Sequence, residues 1–547
     1  MALRTLYQSL LDSDPARLRI IARQWEIQLA ATRKADIAAE LVDAMASAET
    51  VSRVLEALAP PERAALDDLL RQAGELPWTI YVRRWGEVRS LGPGRVEREA
   101  LWQAPVSAAE RLWFLGLVQR AFAERSDQPV EMAFLPEELQ LYMPPPAPQP
   151  VPPPPEAPVP AHAYPGTDAL VEHLVTLWTI LQRGGQPGDI TLPMPQPAAR
   201  ERLALLVTLS LEQGWLRQQG EMLRPAGSPV LSWLRSDPWT QWKALLTAWR
   251  TSRRWNDLAY VPSLTPDPVK GWPNIPEETR EAILEILTRC QPERWYELPT
   301  FTAYVKAKAP DFLRPAGDYD TWAPRDAQTE TPLRGFEAWD AVEGALLTYL
   351  VTDPLHWLGW VDLGSSLPAA PPTSFRLTVA GAALLDLGPP PDLPPAPPLQ
   401  LKPGGEIEVP RRRRYERFQI SRVADIVQSD TPYRYRLSPT SLTQARSQRI
   451  PYDRIIEFLE EATDQQTLPT SLKAAIERGY QGRDRVILDQ RWVVRVEDPA
   501  HLQIPRIAAL IKEQLTPTIA LIRRQDRDQI VRLLAEFGLL ADIETGS

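Results

Sequence analysis

Residues 411–479 read RRRRYERFQISRVADIVQSDTPYRYRLSPTSLTQARSQRIPYDRIIEFLEEATDQQTLPTSLKAAIERG. The first forty positions, 411–450, hold ten arginines, no lysine and three acids, a balance of +7 in a chain of net charge −9, which leaves −16 for the remainder. A basic stretch in an acidic chain points to a surface that meets an anion, and nucleic acid is the commonest large one. Arginine in place of lysine favours planar, bidentate phosphate contacts, although it serves equally in structural ion pairs. Arg411–Arg414 precede a segment, Glu416–Val427, whose helical period puts Phe418, Val423 and Ile426 on one face. In YRYR at 433–436, a strand would put Arg434 and Arg436 on one face and Tyr433 and Tyr435 on the other. The candidate nucleic-acid contacts are therefore Arg411, Arg412, Arg413, Arg414, Arg417, Arg434 and Arg436. The competing reading is a basic stretch neutralised by the acidic rest of the chain or by a partner protein.

Four spaced blocks carry a family resemblance. They are F-x-I-S-x-V-A-D-I-V from Phe418, Y-R-Y-R-L-S-P-T-S-L from Tyr433, I-P-Y-D-R-I-I-E-F-L-E from Ile450 and L-P-T-S-L-K-A-A-I-E from Leu468. In this order they resemble the N-terminal domain of the XPB-type DNA helicases, a domain also found in long bacterial proteins described only as helicase-associated. The resemblance spans roughly residues 399–545, about a quarter of the chain. It implies DNA or an XPB-like helicase as partner, in repair or transcription. No catalytic residue belongs to that domain in the family, so it implies none here.

Working outward, two proline tracts divide the chain. Residues 144–160 hold eleven prolines in seventeen positions, and a shorter tract spans 389–398. The first favours polyproline II, reaching roughly 50 Å at about 3.1 Å per residue, and is expected to hold its flanking domains apart; the alternative is a docking peptide for an aromatic groove. The expected segments are 1–58, 59–143, linker 144–166, 167–275, 276–388, linker 389–398 and 399–547. In the first, Leu18, Ile21 and Trp25, then Ile37 and Leu41, sit at helical spacing around QLAATRKADI. This weakly resembles a SAP-type DNA-binding hairpin, with Ala30 or Ala31 where that family has a turn glycine; it implies Arg33 and Lys34 as the DNA-facing pair. A plain helical hairpin reads the same residues.

Residues 60–140 predict helices, then strands at 117–122 and 130–136 around ERSDQ, the layout of a winged helix. Residues 168–223 predict two helices and a small wing turning at Gly220, and 276–387 repeat helix, strand and returning strand. The tryptophans at helical spacing are expected in cores rather than as base-stacking platforms. The C-terminal part predicts strands at LQLKPGGEIEV, a pair at 485–496 turning near Asp489, then TIALI (518–522), a helix in RDQIVRLLAEFG and a strand in LLADIE. The expected class is multidomain, mainly α with small β-wings, plus a C-terminal α/β domain.

Chemistry is hard to place on these residues. There is no G-x-x-x-x-G-K-[ST], no Gly-Lys or Asp-Glu dipeptide, no H-E-x-x-H and no G-x-S-x-G; the four histidines (162, 173, 356, 501) are scattered. The single cysteine, Cys290, excludes an intrachain disulfide and is expected to be a buried inert thiol. No window approaches 18 uninterrupted apolar residues and the N-terminus does not read as a signal peptide, so a cytoplasmic protein with no membrane contact is expected. The expectation is a non-enzymatic accessory protein of DNA transactions, without cofactor, metal or small-molecule substrate, binding DNA, an XPB-like helicase or another DNA-processing protein. The alternatives are a winged-helix transcriptional regulator and an acidic interaction scaffold without DNA affinity.

Overall fold

Many helix starts follow from one local device: a short polar residue followed by proline. Asp14 caps Pro15–Gln24 by accepting from the Ala16 N–H at 2.8 Å. Asp237 caps Pro238–Thr251, and Ser438 caps Pro439–Ser447. Proline suits the first helical turn because its missing N–H would be unsatisfied there anyway. Part of the chain's high proline content thus opens helices rather than marking linkers.

The computed structural model describes residues 5–90, 92–125, 128–148, 150–190, 192, 198–402, 404–465, 467–483 and 492–541. The chain divides into two units: residues 1–399 with 408–421 and 427–434, and residues 400–407 with 422–426 and 435–547. Both mix helices with small antiparallel sheets. The second unit has eighteen basic and eighteen acidic residues, so the net charge of −9 belongs entirely to the first.

Within the first unit, residues 6–139 share one core, from Leu6 and Trp25 to Leu135 and Leu139. The expected boundary at 58 does not separate two cores. Residues 60–134 run helix Pro60–Arg71, strand Glu75–Pro77, helix Trp78–Trp85, a short helix, helix Ala108–Phe114, then strands Gln119–Arg125 and Gln128–Phe134. The third strand lies between the other two, with Leu76 opposite Ala133 and Arg120 opposite Ala133 from the other side. The expected hairpin turn at 126–127 lies outside the described residues.

The same order recurs downstream. Helix Pro276–Leu287, strand Tyr296–Glu297, helix Leu298–Lys308, helix Ala345–Thr352 and strands Val361–Ser365 and Ser374–Leu377 follow one another, and Tyr296 pairs with Phe375. Between the two copies, the helices Ala169–Gln182 and Ala198–Glu212 lead to the strands Leu216–Gln219 and Met222–Pro225, which turn at Gly220 with φ 62°. A single core spans residues 170–377 and takes in Phe418. Trp178, Trp249, Trp255, Trp339 and Trp360 are fully buried.

The first proline tract does not stand free. Ala157 N–H donates to the Trp295 carbonyl at 2.7 Å, the Tyr304 hydroxyl donates to the Pro152 carbonyl at 2.8 Å, and Pro154 is buried. His162–Tyr164 then pairs antiparallel with Val361–Ser365. The strap crosses that sheet at Gly364, where a Cβ would stand 2.4 Å from Pro160 Cγ. The expectation of an extended spacer is corrected: the Trp295 carbonyl, the Tyr304 hydroxyl and a strand edge give the segment a seat on its own chain.

In the second unit, helices Pro439–Ser447, Tyr452–Ala462 and Thr470–Gln481 precede a three-stranded sheet, Trp492–Arg495, Ile519–Ile522 and Ile511–Thr516, with the second strand central. Helix Arg527–Glu536 packs on it through Ile530, Leu533 and Leu534. The expected turn near Asp489, and the expected LLADIE strand from residue 542 onward, lie outside the described residues.

Candidate arginine–carboxylate centre and its cavity

The helix Ala169–Gln182 is apolar almost throughout, and Glu172 is its one acid. Asp168 stands at its N-cap and makes no side-chain cap bond. Asp168 and Glu172 are four residues apart, so both carboxylates project from one side of the first turn. Asp168 is 2% and Glu172 4% exposed. Buried acids at such a place need partners, because an unpaired buried charge costs several kcal/mol.

The partners come from 240 residues downstream. The segment Glu416–Val427 is not one helix: Arg414–Ile420 is helical and Asp425–Gln428 is a strand. Arg414 and Arg417, three apart, therefore face the same way. Arg414 donates to Asp168 Oδ2 at 2.6 Å, to Glu172 Oε1 at 2.8 Å and to Gln241 Oε1 at 2.8 Å. Arg417 pairs with Glu172 Oε2 at 3.1 Å, donates to the Glu172 carbonyl at 2.6 Å and lies 3.8 Å over the Tyr433 ring. Their side chains are 0% and 2% exposed. Arg412 takes a left-handed backbone (φ 72°), and this turn lets Arg411 and Arg412 also close on Asp168, the latter at 3.1 Å. Arg413 points elsewhere, to Glu416 at 3.0 Å and to the Pro397 carbonyl at 2.9 Å. Further along, Gln182 donates to the Phe418 carbonyl and Arg183 to the Ser421 carbonyl.

Burial pushes the Asp168 carboxyl up, but Arg414, Arg411 and Arg412 outweigh it and hold the group below the usual carboxylate range. His173, one residue beyond Glu172, is pushed down to about 4, first by burial and then by Arg202 and Arg417.

The expected cationic face at 411–417 is thus corrected. Arg414 and Arg417 are inaccessible to a phosphate, and Arg411 and Arg412 are shared with Asp168. Arg434 bonds the Gln428 side chain at 2.8 Å, and Arg436 is exposed, 3.7 Å from Glu406. The tyrosine–arginine alternation holds: Tyr433 and Tyr435 are buried. Arg33 and Lys34 open the helix Lys34–Met45 without a carboxylate within 4 Å among the described residues. Glu40 accepts from the Ala30 N–H at 3.0 Å, so that turn is held without a left-handed glycine.

What the sequence reading passed over is the acid half of this centre. The signal was present: one glutamate in fourteen helical residues, with an aspartate four positions before it. A second set was only partly noticed: Arg446 and Arg449 entered the count of ten arginines at 411–450, but not the candidate contacts, and Arg478 entered neither. Arg446 lies in the last turn of the helix Pro439–Ser447, Arg449 just beyond it, and Arg478 in the last turn of Thr470–Gln481; all three are exposed. Gly479 lets these helices touch, since a Cβ there would stand 2.8 Å from Leu442 Cδ1. None of the three has a carboxylate within 4 Å among the described residues.

On the outer side of Asp168 lies a half-open cavity of about 340 Å³, bounded by Asp168, Trp242, Asp362, Arg376, Arg411 and Arg412. Among the described residues no three His, Cys, Asp or Glu side chains are grouped to hold a metal, and no helix is long and apolar enough to cross a membrane. Burial pushes the Cys290 thiol up to about 12. No protein-family model matches the sequence, and no curated protein matches it.

Proposed function

We propose that the protein is a non-enzymatic accessory protein of DNA transactions that works as an acidic interaction scaffold, with a partner protein rather than DNA as the ligand of its first unit. One observation carries this reading: the arginine run that DNA contact would need on the surface is held by Asp168 and Glu172. The first unit, with its net −9, would repel a polyanion. The repeated order helix–strand–helix–helix–strand–strand supports winged-helix-like modules, an architecture compatible with protein as well as DNA contact. The four sequence blocks shared with XPB-type helicases favour such a helicase as the partner.

The test uses the full chain. Immobilised protein should retain an XPB-like helicase, and at physiological salt any anisotropy change with duplex, forked or single-stranded DNA carrying 5′-hydroxyl ends should be the same in Arg411→Ala and Arg412→Ala as in the parent chain. Helicase recovery no greater than from a blank surface would refute the partner. Deleting residues 399–547 is unsuitable, because it strips Asp168 and Glu172 of their counter-ions.

The exposed Arg446, Arg449 and Arg478 favour a second reading, in which the C-terminal unit contacts nucleic acid. Binding lost in Arg446→Glu with Arg478→Glu, at unchanged stability, would establish it.

A further inference from the structure

We infer that the cavity beside Asp168 is a binding site for a phosphomonoester group. The argument rests on hydrogen-bond capacity. Asp168 and Asp362, the two acids in the cavity wall that are not exposed, already accept at every carboxylate oxygen: Asp168 Oδ1 from Arg411, its Oδ2 from Arg412 and Arg414, Asp362 Oδ1 from the Gly166 N–H and its Oδ2 from Arg376. With guanidinium groups already on both carboxylates, their negative charge is neutralised and offers little to a further cation. The guanidinium groups, in contrast, keep unused donors. Arg411 engages Asp168 through one terminal nitrogen, Nη2, which leaves its Nη1 without a protein acceptor among the described residues. Arg412 and Arg376 each engage a carboxylate through Nε alone, which leaves their terminal nitrogens without a protein acceptor among the described residues.

Charge points the same way. Three guanidiniums converge on the single Asp168 carboxylate, and one of them, Arg414, is shared with Glu172. Arg411 and Arg412, 37% and 24% exposed, are the two that reach the opening. Arg376 lines the same cavity, its Asp362 contact at 2.7 Å. A tetrahedral dianion in this cavity would take donors from these three guanidinium groups, whose planar fork suits phosphate oxygens. The Trp242 ring and Leu377 supply an apolar wall for the body that carries the phosphate. The volume suits a small ligand or the end of a chain. The one acid with free oxygens on the rim is Glu293, which is exposed and opposes binding.

The same chemistry is offered by a free mononucleotide and by the 5′-phosphate of a nucleic-acid strand. Calorimetry on the full chain at low ionic strength would use inorganic phosphate, AMP, and a trinucleotide with and without its 5′-phosphate. Saturable binding of AMP and phosphate identifies a small-molecule ligand; binding of the 5′-phosphorylated trinucleotide alone identifies a strand terminus. In either case Arg376→Gln and Arg411→Gln should each weaken binding about tenfold, and Glu293→Gln should strengthen it. Arg376→Gln alters the wall away from the buried centre and keeps the test valid if Arg411→Gln misfolds. No saturable binding of any probe up to about 5 mM, or affinities unchanged in both arginine variants, would overturn the assignment.

Discussion

The arginines at 411–417 and those at 446, 449 and 478 come from one stretch of sequence and share one composition, but they do opposite things. Apart from Arg413, the first group lies against Asp168 and Glu172 at the start of the helix Ala169–Gln182, with Arg414 and Arg417 almost wholly enclosed. The second projects from helix ends into solvent, where a cation is also favoured by the helix dipole. The difference is set by what each helix meets. Arg414–Ile420 packs on an apolar helix that carries its own acids at one turn, whereas the ends of Pro439–Ser447 and Thr470–Gln481 meet each other and the turn at Ile450, with no carboxylate within 4 Å of these arginines among the described residues. Local charge density therefore says nothing about exposure until the acids that answer it are found.

The contrast breaks most sharply under substitution. Arg414→Ala leaves Asp168, Glu172 and Gln241 short of a buried donor and should cost about 3–5 kcal/mol, read as a fall in the urea midpoint. Asp168→Asn should cost less, about 2–3 kcal/mol, because Glu172 still holds Arg414 and Arg417; the same titration checks it. Equal losses from Arg446→Ala would erase the distinction between the groups.

Acid titration sharpens the comparison further. His173 has a folded value of about 4, below its ordinary 6.5, so the unfolded chain takes up the proton first. Stability should fall as pH drops through that window, by on the order of 2 kcal/mol after allowance for partial exposure. Asp168, held below the usual range, contributes stability that persists through this window and is lost only at lower pH. His173→Gln should abolish the first loss and spare the second. The smallest effect belongs to the exposed group: Arg446→Ala and Arg478→Ala should each change stability by no more than about 0.5 kcal/mol. If the C-terminal unit does grip DNA, each should lower the salt slope of binding by about 1.

Periodicity and caps made most helices legible, and the alternation in YRYR survives as buried Tyr433 and Tyr435. The helix expected over 416–427 failed at Ser421, where the chain caps, turns through Val423 and leaves β-branched Ile426 and Val427 to a strand. The proline strap was misread because its seat, Trp295 and Tyr304, lies about 140 residues away. The site was half legible. Its arginines announced themselves by number, but their fate depended on Asp168 and Glu172, a pairing no local window contains. The chain's cations, fifty-three arginines against eight lysines, fit that use. Buried pairs such as Arg280–Asp257 and Arg314–Glu343 repeat it elsewhere.

Arginine-specific labelling of the native protein with phenylglyoxal, read residue by residue by mass spectrometry, tests the burial of the run most directly. Arg446, Arg449 and Arg478 should react at the rate of a free side chain, while Arg414 and Arg417 stay unmodified until the protein is unfolded. Modification of Arg414 and Arg417 in the folded chain at the rate of Arg446 would contradict the account.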